Sequence, residues 1–131
     1  MKLLLDTHIF LWSLLEPEHL DPNVSQQLDD PGNELWLSPI STWEVMILAD
    51  RGRIDLNAPP DRWLQTVFST VPFQQAPLTH NIAIRSREIQ LPHQDPADRF
   101  LVATALIHDL TLVTADRIIL ESAACKLLPN N

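Results

Sequence analysis

Glycine is almost missing from this 131-residue chain: Gly32 and Gly52 are the only two, which leaves no glycine-rich loop to cradle a nucleotide phosphate. Cysteine is scarcer still. Cys125 stands alone, which forbids an internal disulfide and any cysteine-rich zinc site and suits a reducing, cytoplasmic setting. Long apolar runs are lacking too: Ile9 to Leu15, broken by Ser13, falls far short of the roughly 20 residues of a bilayer-spanning helix, so no membrane span is expected. The N-terminal Met1-Lys2-Leu3-Leu4-Leu5 starts like a secretory signal, but Asp6 interrupts it, and the segment reads as a strand. Positive charge is also short. With 9 basic against 17 acidic residues the net charge is -8, which argues against a protein that holds nucleic acid mainly by neutralising phosphates. A nuclease is not excluded on that ground, since metal-dependent phosphodiesterases concentrate carboxylates and divalent ions supply the missing charge.

What is present is an ordinary globular composition, 45% hydrophobic and 20% charged, in a chain long enough to bury a core without staples. There are no repeats, linkers or low-complexity tracts, so a single domain over residues 1–131 is expected. Apolar runs at Leu3–Leu5, Glu34–Ser38 and Leu110–Thr114 read as buried strands, with Lys126–Leu128 as a last one and Val71-Pro72-Phe73 as a short edge strand. Between them the spacing predicts helices over Phe10–Leu15, Asn23–Asp30, Pro39 to Gly52, Pro59–Phe68, Thr79–Ile89, Pro96–Ile107 and Ile118–Ser122. Strands alternating with helices, apolar rather than period-2, indicate an α/β fold whose parallel sheet is covered on both faces.

In open parallel sheets ligands bind beyond the carboxyl ends of the strands, and four carboxylates fall at or near such places. Asp6 ends the first strand, Asp116 follows the last central strand, Asp98 lies in the first turn of a helix, and Glu44 borders the apolar stripe of the helix after Ser38. Helix capping accounts for any one of them alone, because Asp6, Asp95 and Asp98 all sit where helix starts favour acids. Capping does not account for an acid at an apolar border or for four acids converging. Carboxylates grouped around a cleft suit hard cations such as Mg2+ or Mn2+, which activate water and stabilise charge at a phosphodiester. Trp12, Trp36, Trp43 and Trp63 fall on apolar faces and read as core or dimer contacts rather than base-stacking platforms. His8 reads as a local hydrogen-bonding residue near the cleft.

Four segments together, Leu4-Leu5-Asp6-Thr7-His8, Ser38-Pro39-Ile40-Ser41-Thr42-Trp43-Glu44, His93-Gln94-Asp95-Pro96-Ala97-Asp98-Arg99 and Leu112-Val113-Thr114-Ala115-Asp116, resemble the PIN domain. The likeness is greatest to the VapC-like toxin ribonucleases of type II toxin-antitoxin modules, and it runs over essentially the whole chain. The resemblance implies a three-layer α/β/α domain with a central, mostly parallel sheet and Mg2+- or Mn2+-dependent endoribonuclease activity. It places the acidic quartet on Asp6, Glu44, Asp98 and Asp116, and makes Thr114 the hydroxyl that orients a ligand or water. Asp95 is a helix cap in the favoured reading and a metal neighbour in the lesser one. Arg99 meets either a phosphate or the neighbouring carboxylates. The resemblance further implies an RNA substrate, a small antitoxin partner that carries the complex to DNA, and a homodimer.

Two other classes compete. A receiver-like signalling domain has similar length and alternation, but it needs a paired acidic patch after the first strand and a late lysine. Here Asp6 is followed by Thr7-His8, and Lys2 and Lys126 are the only lysines. A domain that keeps the acids yet binds RNA without cleaving it is the other alternative.

Overall fold

The computed structural model describes residues 1–92 and 94–131. Chain order is β1 (Lys2–Leu5), α1 (Thr7–Leu15), a 3-10 turn (Pro17–His19), α2 (Pro22–Asp29), β2 (Glu34–Leu37), α3 (Pro39–Asp50), α4 (Pro60–Thr70), β3 (Gln74–Gln75), α5 (His80–Glu88), α6 (Pro96–His108), β4 (Thr111–Thr114), α7 (Arg117–Ser122) and β5 (Leu127–Pro129). The five strands form one sheet in the order β3-β2-β1-β4-β5, with every pairing parallel. The expected α/β architecture is therefore present.

Period-2 geometry in buried strands divides the core into two layers. Leu3, Leu5 and Val113 face Phe10, Val45, Leu64 and Val67 from α1, α3 and α4. Leu4 and Leu112 face Leu101, Val102 and Ala105 of α6 and Ile119 of α7. Every strand-to-strand connection passes through helix, as parallel pairing requires. Proline holds a first-turn position in α2, α3, α4 and α6, where its missing N–H breaks no helical hydrogen bond.

Two expectations need correction. The edge strand β3 is Gln74–Gln75, just beyond the expected Val71-Pro72-Phe73. Pro72 has no N–H for a ladder, and Phe73 instead packs edge-on to Phe10 at 5.4 Å. Trp43, expected on the buried stripe of α3, is 55% exposed; Ser41 and Val45 are the residues of that helix that are buried.

Candidate metal centre

Strand order reverses direction between β1 and β4, and the carboxyl ends of these two neighbours make the switch point where parallel sheets bind ligands. The register pairs Leu5 with Val113, so Asp6 and Thr114 emerge side by side. Asp6 is 8% exposed, and each of its oxygens has a partner. Oδ1 accepts from the Thr7 amide at 2.7 Å, capping α1, and Oδ2 accepts from Thr114 Oγ1 at 2.7 Å. The same Thr114 oxygen accepts from the Asp116 amide at 3.1 Å, while Asp116 Oδ1 caps α7 through the Ile119 amide at 3.0 Å. Capping and convergence thus coexist at Asp6 and Asp116.

Glu44 reaches the same place from α3. Thr7 Oγ1 lies 2.5 Å from Glu44 Oε1, to which it donates, and 2.9 Å from Ser41 Oγ. A hydroxyl carries one proton, so donation to the carboxylate leaves the Thr7 oxygen to accept from Ser41. Asp98 enters from the first turn of α6, whose cap is Asp95, with Oδ1 accepting from the Ala97 amide at 3.0 Å. One cleft of about 280 Å3 is lined by Asp6, Glu44, Asp95, Asp98 and Asp116 together with His8 and Trp12. His93, in the motif preceding α6, lies outside the described residues.

The electrostatics follow from acids sharing a half-dry space. Burial pushes the Asp98 carboxyl up to about 8, and the charges of Asp6, Asp95, Asp116 and Glu44 push the same way. Burial also raises Glu44, opposed by the Thr7 hydroxyl and reinforced by Asp6 and Asp95. Asp6 is raised by burial against the opposing hydrogen bonds from Thr114 and Thr7. Acids that raise one another in this way crowd negative charge into one space, and their donors are hard oxygens. Both properties fit a divalent cation. Among the described residues, the three ligand side chains within 4.8 Å of one another are instead Glu16, Glu18 and His19, all exposed near the 3-10 turn. The cleft acids are more widely spaced.

A family model described as "PIN domain" matches residues 3–124. The chain belongs to the PIN-domain family. Ribonuclease VapC22 of Mycobacterium tuberculosis is 37% identical to it over 117 residues, 87% of this chain and 86% of that protein. At the level of fold, this PIN domain is similar to VapBC2 from Rickettsia felis bound to a DNA fragment from their promoter, with a TM-score of 0.72, 16% identity and 100% of both chains covered. It is likewise similar to a toxin-antitoxin complex from Klebsiella pneumoniae, with a TM-score of 0.63, 21% identity and 95% and 94% of the two chains covered.

Arg99 holds backbone carbonyls. It is 5% exposed, and its guanidinium donates to the carbonyls of Ser86 at 2.8 Å, Ile89 at 2.9 Å and Leu91 at 3.0 Å. Its planar fork therefore fastens the end of α5 and the following loop to α6. The sequence assigns the site no role for Thr7 or Ser41, and it reads Trp12 as a core or dimer contact. Thr7 and Ser41 form the hydroxyl relay to Glu44; the available signal was Ser41 lying one helical turn before Glu44. Trp12 borders the cleft although its helix is apolar around much of its circumference, so periodicity alone did not single it out.

Proposed function

We propose that this PIN domain is the ribonuclease toxin of a toxin-antitoxin pair, hydrolysing RNA phosphodiester bonds at the Asp6–Glu44–Asp98–Asp116 cleft with Mg2+ or Mn2+. The convergence of these four carboxylates on the β1/β4 switch point, in a chain 37% identical to a ribonuclease, carries the proposal. Asp6, Glu44, Asp98 and Asp116 would hold the cation, which supplies water activation and neutralisation of developing phosphate charge.

The protein's own contribution is preorganisation. Thr114 fixes the Asp6 carboxylate by its hydrogen bond to Oδ2 and holds the Asp116 amide in the same turn. Thr7, backed by Ser41, fixes Glu44. Asp95 caps α6 and so sets where Asp98 enters, while adding its own negative charge. Burial at Asp6 strengthens the field felt by any cation in the cleft.

An antitoxin partner is supported by the toxin-antitoxin complex among the structural relatives. The net charge of -8 favours a basic segment of that partner over direct DNA contact by this chain, with promoter binding left to the antitoxin. A homodimer, a single-domain organisation over 1–131 and a cytoplasmic setting complete the proposal. No helix among the described residues is long and apolar enough to cross a membrane.

The test is incubation of antitoxin-free protein with total cellular RNA in Mg2+ or Mn2+, beside an EDTA control and identically purified Asp98→Asn protein. Discrete fragments that need both metal and Asp98 support the proposal. RNA that stays intact while binding the folded protein favours the non-cleaving alternative.

A further inference from the structure

We infer that Trp12 and Arg117 form a nucleotide subsite beside the acidic cleft, taking an unpaired base and its phosphate next to the bond that is cut. The inference rests on the ribonuclease proposal above and adds to it the residues that hold the strand.

Among the described residues, Trp12 borders three adjoining depressions. The acidic cleft is the middle one. On one side, His8 and Trp12 are shared with a depression of about 420 Å3 that Arg53 lines. On the other, Trp12 and Ala115 are shared with a depression of about 560 Å3 that Arg117 lines. A strand running from one flanking depression through the cleft to the other passes Trp12.

The indole is set in place beforehand. Part of it packs on the α1–α3 core. His19 stacks on it at 5.3 Å between ring centroids and 19° between planes, and Glu16 Oε2 holds the His19 imidazole at 2.9 Å. The His19 backbone is tied in turn: Asn130 Nδ2 donates to its carbonyl at 3.1 Å, and Asn130 Oδ1 accepts from the Asp21 amide at 2.6 Å. A rigid aromatic ring costs little conformational entropy on binding, and base stacking on such rings tolerates every base because each has a π-face.

Cations flank the acids. The middle depression is lined by Asp6, Glu44, Asp95, Asp98 and Asp116, whereas each flanking one holds an arginine beside a single glutamate, Arg53 with Glu16 and Arg117 with Glu121. Phosphates flanking the cut would meet a guanidinium on each side as the bond to be cut meets the carboxylate cleft. Arg117 is exposed and directly follows Asp116, so it stands nearest the reacting centre in sequence. Aromatic ring, flanking cations and an open trough match a single strand; a duplex keeps its bases stacked inside.

The test uses Asp98→Asn protein, so that RNA is held without being cut, and an unstructured fluorescent oligouridylate in Mg2+. Trp12→Leu should weaken binding by roughly 5- to 100-fold and Trp12→Phe far less, the loss expected for one stacked base. Arg117→Gln should lower the slope of log affinity against log salt by about 0.7, the value for one phosphate contact on a single strand. Oligouridylates carrying one abasic position each probe the unmutated site and need no folded variant: affinity should drop at a single position. In chains with Asp98 intact, Trp12→Leu should raise KM for RNA more than it lowers kcat. Uniform affinity along the abasic series, or a Trp12→Leu protein of native circular dichroism that binds and cuts as the parent does, overturns the subsite and leaves the ribonuclease proposal standing. Absence of Asp98-dependent cleavage in the wild-type chain overturns both.

Discussion

Thr114 Oγ1 donates to Asp6 Oδ2 at 2.7 Å across the β1/β4 junction, so a strand-end hydroxyl fixes the most buried acid of the cleft. The bond opposes the rise in the Asp6 pKa that burial causes and keeps one carboxylate oxygen pointing in a defined direction.

Removing that hydroxyl while keeping its shape tests its role. Thr114→Val should reduce RNA cleavage by roughly 10- to 100-fold, as loss of outer-shell partners does at metal sites, and Thr114→Ser should restore most of it. Cleavage rates of the two variants at saturating Mn2+ check this. Equal rates for Val and Thr would remove Thr114 from the machinery.

Glu44→Gln should abolish cleavage with the fold intact, because the amide still accepts from Thr7 but carries no charge. Thr7→Val should lower cleavage less. Circular dichroism and fragment analysis on the same preparations separate the two effects, and an active Glu44→Gln enzyme would exclude Glu44 from the proposed site.

Stability without metal should fall as pH rises. The folded Asp98 carboxyl titrates at about 8 against 3.8 when unperturbed, so the folded state binds the extra proton between those values. The stabilisation that this proton gives is complete below the unfolded value and is lost as pH passes through the folded one. Asp6 and Glu44 shift in the same direction. Melting in EDTA between about pH 5 and pH 8 should show the decline, and Asp98→Asn should flatten it. Mg2+ should raise the melting temperature most at the alkaline end, and a metal-free melting temperature independent of pH would contradict the electrostatic account.

Arg99→Leu should destabilise the fold by several kcal/mol, at about 1–3 for each buried carbonyl left without its donor. Chemical denaturation measures the loss. Native stability combined with a raised KM would instead point to a phosphate contact.

The sequence and the structure agree best where local chemistry and topology point the same way. Asp6 and Asp116 are legible because a strand that ends in an acid before a helix satisfies capping and the parallel-sheet rule together. Asp98 is legible from Pro96, which sets the start of α6 and hence the acid's place in its first turn. Glu44 could be read as a border residue, but the Thr7 and Ser41 hydroxyls that hold it belong to a contact across 34 and 37 positions, which no local pattern encodes. Trp43 and Trp12 show the limit of periodicity. Both lie in apolar helices, yet Trp43 faces outward and Trp12 walls a cleft, and only the packing of α3 and of α1 against their neighbours decides that. The carbonyls that Arg99 holds are equally silent in the sequence, because a backbone acceptor carries no residue-type signal.

The central claim is that the cleft acids hold the divalent ion, and Mn2+ binding followed by electron paramagnetic resonance tests it most directly. Wild-type protein should bind Mn2+, Asp6→Asn and Asp98→Asn should lose that binding, and Glu18→Gln, in the exposed Glu16–Glu18–His19 group, should keep it. Binding that survives Asp98→Asn and Asp6→Asn but disappears with Glu18→Gln would place the ion outside the cleft and contradict the account.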